Sequence, residues 1–224
     1  MVARSYGQFC GLARALELVG ERWSLLIVRD LLVGARRFTD LRQGLPRIPT
    51  NVLADRLKEL EQAGIVRRRV LPRPAASIVY ELTAYGSQLD EVVLRLGLWG
   101  AQSLGEPRPG EIMTADAMVM AFRSSFVPEA AGDLQISYVL HLGDIVLHLR
   151  VERGTLAVAE GAVSDADLVI EAGPAIKDLM SGELRPSQAI ERGAVRITGD
   201  VALFERFVEL FHIPGPSPAD AHDA

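Results

Sequence analysis

Arg67, Arg68 and Arg69 follow one another, with Arg73 just beyond them. Thr50, Asn51, Arg56 and Lys58 come shortly before, after the turn-forming run Pro46-Arg47-Ile48-Pro49. Guanidinium groups bind phosphate by charge and by paired N–H donors, without reading sequence. An asparagine amide can instead donate to and accept from the edge of adenine. Cations for the phosphate ridge beside polar side chains for base edges are the chemistry of a protein that grips a duplex. A second reactive group is the single cysteine, Cys10. It begins a segment of helical spacing, where backbone amides favour a thiolate, and Arg14 lies one turn later; a lone cysteine beside Phe9 and Leu12 also fits an inert buried position. One cysteine excludes an internal disulfide and a zinc-finger cluster, and suggests a reducing compartment, the cytoplasm. His141 and His148 share a face in an alternating segment, but no cysteine accompanies them, so a solvent-facing pair and no metal are expected.

Motifs of catalysis are missing. There is no Gly-x-Gly-x-x-Gly, no phosphate loop, no His-Glu-x-x-His and no Gly-x-Ser-x-Gly, and the four histidines are a sparse supply of general bases. Neither an enzyme nor a cofactor is expected.

The elements that must carry the arginines follow from periodicity. Phe9 to Val19 fits an amphipathic helix with Leu12, Ala13, Leu16 and Val19 inward, ended by Gly20. Trp23 to Leu32 is too apolar for a surface helix and belongs at the centre of a core. Phe38 to Leu45 fits a short helix with Thr39 as its cap. From Thr50 a stronger pattern places Val52, Leu53, Leu57 and Leu60 on one face, ended at Gly64. Ile65 to Leu71 and Ile78 to Thr83 then read as a hairpin with a proline-containing tip, cationic on both faces of its first strand. Ala84 to Leu104 reads as one long helix with a stripe of Leu89, Val92, Val93, Leu96 and Trp99. A short helix, a turn, a longer helix and a basic hairpin, in that order, make a helix-turn-helix with a wing.

The strings Cys10-Gly11-Leu12-Ala13-Arg14-Ala15-Leu16-Glu17-Leu18-Val19-Gly20, Arg22-Trp23-Ser24-Leu25-Leu26-Ile27, Arg36-Arg37-Phe38-Thr39-Asp40-Leu41, Leu53-Ala54-Asp55-Arg56-Leu57-Lys58-Glu59-Leu60 and Tyr80-Glu81-Leu82-Thr83-Ala84-Tyr85-Gly86 resemble the HxlR family of winged helix-turn-helix transcriptional regulators. The resemblance covers nearly all of residues 6–104. It implies a cytoplasmic homodimer on an inverted repeat of double-stranded DNA, a recognition helix from Thr50 to Ala63, and dimer contacts from terminal helices. The implied DNA-facing set is Thr39, Pro49, Thr50, Asn51, Arg56, Lys58, Arg67, Arg68, Arg69 and Arg73. Asn51 stands where the family often has lysine, and Asp55 where it has an uncharged amide or hydroxyl, so the operator sequence does not carry over. Some members use a cysteine near Cys10 as an oxidant sensor.

In the second half, Ile136 to Val151 alternates around Gly143-Asp144 as a hairpin with one core-facing wall. Further strands fit Thr155 to Ala159, Asp167 to Glu171 and Ala194 to Thr198. Helices fit Ala115 to Phe126, Ala175 to Ser181, Pro186 to Arg192 and Val201 to Phe211, the last capped by Asp200. Asp165-Ala166-Asp167-Leu168-Val169-Ile170, Leu179-Met180-Ser181-Gly182-Glu183-Leu184 and Val195-Arg196-Ile197-Thr198-Gly199-Asp200 resemble the sterol carrier protein-2 fold. That resemblance implies a twisted sheet covered by helices with an apolar tunnel, lined by Phe122, Phe126, Tyr138, Leu140, Leu147, Met180, Phe204, Phe207 and Phe211 and open to a small hydrophobic effector. Periodicity alone reads the same residues as plain core.

Composition frames these readings. The 224 residues are 49% hydrophobic and 24% charged, ordinary for a folded chain. Charged residues punctuate every apolar run, so no membrane span or secretory signal is expected. The formal charge of -5 conceals a division: residues 1–105 carry 15 Lys+Arg against 10 Asp+Glu, and residues 106–224 carry 9 against 19. With a Debye length of about 8 Å at physiological salt, phosphate docked on the basic half would sense mainly nearby charge. The expected class is α+β: a winged helix-turn-helix over 1–105, a linker at 106–112 marked by Glu106-Pro107-Arg108-Pro109-Gly110, an SCP2-like α/β sandwich over 113–214 and a flexible tail from 215. The expected function is a homodimeric repressor with a small apolar effector. The alternatives are a lipid carrier that uses its winged helix for dimerisation, and a thiol sensor acting through Cys10.

Overall fold

The computed structural model describes residues 5–72 and 76–215. The chain divides into two compact units, residues 1–93 and 94–224.

The first unit opens with α1 (Gly11–Val19), α2 (Ser24–Val33), α3 (Phe38–Gly44) and α4 (Thr50–Gln62). Its centre is Ile27, Val28 and Leu31 of α2, Leu41 of α3, and Leu53, Leu57 and Leu60 of α4, all 4% exposed or less. Two expectations for the early helices are corrected. Leu12 and Leu16 of α1 point to solvent, 69% and 41% exposed, while Ala13 and Val19 are buried and Leu18 packs against the core. Thr39 does not cap α3. The cap position is Arg37, whose backbone N–H donates to the Asp40 carboxylate at 2.9 Å, while Thr39 lies inside the first turn. Trp23 precedes α2 with φ +81, a left-handed conformation that costs a non-glycine residue about 1–3 kcal/mol. The Arg22 guanidinium sits 5.2 Å from the centre of its ring, a cation–π distance.

A hairpin follows: β1 (Val66–Val70) pairs antiparallel with β2 (Ile78–Leu82), with Arg67 opposite Glu81 and Arg68 opposite Tyr80. Arg36 adds to its edge, exchanging backbone hydrogen bonds with Tyr80 at 3.0 and 2.7 Å. The single long helix read from Ala84 onward is instead α5 (Ala84–Ser87) and α6 (Asp90–Ala101). At the break the backbone shifts from i−4 to i−3 bonding, Gln88 N–H to Tyr85 C=O and Leu89 N–H to Gly86 C=O, which tightens the turn and redirects the chain. Just before it, Thr83 Oγ1 accepts from the Gly86 N–H and donates to the Gly64 carbonyl at 2.6 Å, a link 19 residues back along the chain that pins the start of α5 beside the end of α4.

The second unit contains α7 (Ala115–Ser125), α8 (Pro128–Ala131), β3 (Gln135–Leu142), β4 (Ile145–Glu152), β5 (Thr155–Glu160), β6 (Leu168–Glu171), α9 (Ala175–Ser181), α10 (Pro186–Glu191), β7 (Arg196–Gly199) and α11 (Val201–Leu210). The strands order as β5-β4-β3-β6-β7, with β3 and β6 parallel and the other neighbours antiparallel. Gly143 takes φ +66 at the β3–β4 turn, as a two-residue hairpin requires. One sheet face carries Tyr138, Leu140, Leu147, Leu149 and Ile170, all fully buried, and α7 and α11 pack on the sheet. Asp200 caps α11 by accepting from the Ala202 N–H at 2.9 Å. Among the described residues no helix is long and apolar enough to cross a membrane.

The pin between Gly64, Thr83 and Gly86 leaves no room for a side chain: a Cβ on Gly86 would stand 2.1 Å from the Ile65 carbonyl oxygen. Gly86→Ala is expected to lower stability by about 1–3 kcal/mol, the usual scale of overpacking. A shift in the urea midpoint of the full chain, with Gly97→Ala as the unhindered control, measures it.

Candidate nucleic-acid interface

Burial sets the rotation of α4. With Leu53, Leu57 and Leu60 inward, the residues left exposed are Thr50, Asn51, Ala54, Asp55, Lys58 and Gln62, one outward stripe along the helix. Pro49 immediately before it is exposed as well. Gln62 falls on the polar side that helical spacing predicts, and Ala54 joins the same stripe one turn from Asn51 and Lys58.

Arg56 is placed differently from its neighbours. Its side chain is 19% exposed, its guanidinium donates to the Glu59 carboxylate, and it stands 3.8 Å from Glu21 Oε2. It ties α4 to the α1–α2 turn along the flank of the helix rather than on the outward stripe. Thr39 is exposed in the first turn of α3, its hydroxyl 3.3 Å from the Asp40 carboxylate.

The hairpin arginines are exposed, and each is paired. Arg67 and Arg69 share one strand face and donate from Nε to the two oxygens of Glu81, at 2.8 and 2.7 Å. Arg68 turns to the other face and reaches Glu61 of α4 at 2.9 Å. Arg69 first, and Arg67 after it, hold the Glu81 carboxyl below the usual carboxylate range by hydrogen bonding and charge. Arg73 lies outside the described residues. At the N-terminal end of α4 a cleft of about 360 Å³ is bounded by Glu21, Arg22 and Trp23 from one side and by Arg47, Pro49, Val52 and Arg56 from the other. Arg22 and Arg47 carried no local signal, because only the tertiary fold brings the start of α2 beside α4.

Cys10 is exposed at the N-cap of α1. Backbone N–H groups of Ala13 and then Leu12 lower its thiol pKa, since hydrogen bonds to sulfur favour the thiolate.

In the second unit five of the nine tunnel candidates, Phe122, Phe126, Tyr138, Phe207 and Phe211, form a cluster of aromatic rings. The Phe207 and Phe211 ring centres lie 4.9 Å apart, Phe122 and Phe211 5.4 Å, Tyr138 and Phe207 5.4 Å, and Phe126 and Phe211 5.7 Å. Phe204, Leu140, Leu147 and Met180 are buried in the same unit. Burial pushes the Tyr138 phenol far above its usual range, so it stays protonated and faces the Leu203 carbonyl at 3.4 Å. On the opposite sheet face a polar cleft of about 290 Å³ includes Ser137, His148, Arg150 and Asp167. His141 and His148 sit diagonally there, opposite Val146 and Val139. Among the described residues no group of three or more His, Cys, Asp or Glu side chains is placed to hold a metal ion.

Two family models match. Residues 18–107 match the HxlR-like helix-turn-helix, and residues 125–212 match the SCP-2 sterol transfer family. The chain is similar to the HTH-type transcriptional regulator YodB of Bacillus subtilis, 41% identical over 88 residues that span 39% of this chain and 79% of that relative. It is also similar to the uncharacterized HTH-type transcriptional regulator Rv3095 of Mycobacterium tuberculosis, 42% identical over 96 residues, 43% of this chain and 59% of that relative. Among solved structures, the reduced form of YodB from B. subtilis is 37% identical and covers 46% of this chain and 100% of its own, with a TM-score of 0.38.

Glu81 holds two guanidiniums away from any phosphate that approaches. Glu81→Gln is therefore expected to raise affinity for specific and scrambled duplexes alike, by up to about fivefold at low salt, the range of an exposed ion pair. Acid should do the same only below the usual carboxylate range, since the lowered Glu81 pKa keeps the carboxylate charged above it. Fluorescence anisotropy with a labelled duplex across pH and salt measures both.

Proposed function

Because the chain belongs to the HxlR-like helix-turn-helix family of transcriptional regulators and carries an SCP-2 domain behind the DNA-binding unit, we propose that it is a homodimeric repressor on an inverted-repeat operator in the cytoplasm, released or tightened by a small apolar effector. The observation that carries this reading is the outward stripe of α4, Thr50, Asn51, Asp55 and Lys58, flanked by the arginine-bearing hairpin. A helix about 10–12 Å across fits the major groove, and Asn51, near its N-terminal end, has the donor and acceptor that adenine needs. Asp55 is suited to accept from the cytosine amino group, since phosphate would repel it. Lys58 and Arg67, Arg68 and Arg69 supply affinity that is indifferent to sequence, and Pro49, Arg56 and Thr39 hold the approach. Arg73 belongs to the same phosphate-facing set by its position in the chain.

A second copy is invoked by the exposed apolar faces of the terminal helices: Phe9, Leu12 and Leu16 at α1, and Val92, Leu96 and Trp99 on α6, all 41% exposed or more. Two reading heads must sit about 34 Å apart to enter successive grooves on one side of the duplex. The effector would part the rings of Phe122, Phe126, Tyr138, Phe204, Phe207 and Phe211 over Leu140, Leu147 and Met180. It regulates only if it binds one arrangement of the two heads more tightly than the other.

The test is binding of the full chain to DNA upstream of its own gene against a scrambled duplex, across salt. The upstream fragment should win, and Arg68→Ala should reduce the log–log salt slope by about 0.9. Equal binding to both fragments would leave the carrier reading. Leu16→Glu should convert the dimer to monomer in sedimentation analysis. Native mass spectrometry of the purified chain reports whether an apolar molecule is retained.

The exposed thiol of Cys10, its pKa lowered by the backbone N–H groups of Ala13 and Leu12 at the start of α1, favours a second reading, in which an oxidant modifies that sulfur. Loss of DNA binding after peroxide treatment, abolished in Cys10→Ser, supports it. An unchanged response in Cys10→Ser removes it.

A further inference from the structure

The cleft between the start of α2 and the start of α4 is lined by Arg22, Arg47 and Arg56 together with Glu21, and Arg56 is also paired with Glu59 of α4. Arg22 and Arg47 are exposed, and Arg56 closes the inner wall, where it stands 3.8 Å from Glu21. Trp23 and Pro49, the residues that precede the two helices, have side chains without an acceptor, so no side-chain cap covers the amides at either helix start. Arg22 is held over the Trp23 ring at 5.2 Å, and the residue that supplies the ring keeps a left-handed backbone to do so. Strain in a bulky residue persists where neighbouring structure holds it, and here it sets a planar guanidinium at the mouth of the cleft.

We propose that this cleft is a phosphate-binding site, with Arg22 and Arg47 as its ligands, Trp23 as the plate that positions Arg22, and Arg56 as the inner wall. The inference deepens the regulatory reading and rests on it for the source of the phosphate. The site adjoins Pro49 and Thr50, so a backbone phosphate there would fix the register of the α4 stripe from the side opposite the hairpin's contribution to affinity. Arg22 and Arg47 then act as positioning contacts: they strengthen every duplex equally and leave base preference to the α4 stripe.

Two arms test the site and its source. In the first, Arg22→Ala and Arg47→Ala in the full chain are titrated with the upstream and scrambled duplexes across salt. Each should lower the log–log slope by about 0.9 and weaken both duplexes by the same factor, with Arg47→Lys restoring most of the loss. In the second, Trp99→Phe leaves Trp23 as the reporting tryptophan, and its emission is followed on addition of inorganic pyrophosphate. A saturable change that disappears in the Arg22→Ala, Arg47→Ala double variant supports the site without DNA. Unaltered salt slopes together with a pyrophosphate response assign the cleft to a free phosphate compound. Unaltered slopes with no pyrophosphate response overturn the proposal. If the unmodified chain shows no preference for the upstream fragment, the regulatory reading fails, and the pyrophosphate arm alone decides the site. Matched thermal melts of the two exposed-arginine variants separate loss of binding from loss of fold.

Discussion

Three leucines govern what the first unit can present. Leu53, Leu57 and Leu60 are 0–2% exposed, and burying each contributes about 1.5–3 kcal/mol relative to leaving it in water. A rotation of α4 by one residue would expose that surface and bury Asp55 or Lys58 without a partner, so the helix has one workable orientation. Asn51, Asp55 and Lys58 face outward as a consequence. The packing of the unit's centre and the polarity of its reading face are two sides of one constraint.

Charge on that face is organised as ion pairs. On the hairpin, Glu81 holds Arg67 and Arg69, and Glu61 of α4 holds Arg68. Solvent and salt screen exposed pairs of this kind, so each contributes little to the stability of the fold. They still matter. They hold long side chains along the hairpin.

The second unit follows a different logic. Its rings meet at centre distances of 4.9–6.2 Å, edge-on or tilted, and pairs of this kind add about 0.5–1.5 kcal/mol beyond their area. An apolar guest that replaced ring–ring contacts with ring–guest contacts would lose little of that. The Tyr138 hydroxyl within the cluster is held protonated by burial and directed at the Leu203 carbonyl.

Periodicity was enough to locate the two units' elements, including the α4 helix, the arginine hairpin, the β3–β4 turn at Gly143-Asp144 and the Asp200 cap, because each depends on neighbours in the chain. It failed where distant residues decided. The break between α5 and α6 comes just after Thr83 reaches back to Gly64, and α1 turns Leu12 and Leu16 outward. Arg56 was legible as a helix residue, but its pairing with Glu21 was not. The cleft of Arg22, Trp23 and Arg47 joins parts of the chain that share no period. By itself the sequence determined which side chains could grip phosphate and which helix would carry the polar stripe, since local spacing sets the faces of a helix. Only the tertiary structure decided which carboxylates the hairpin arginines meet and that Arg22 and Arg47 line the same cleft, since both depend on distances between elements far apart in the chain.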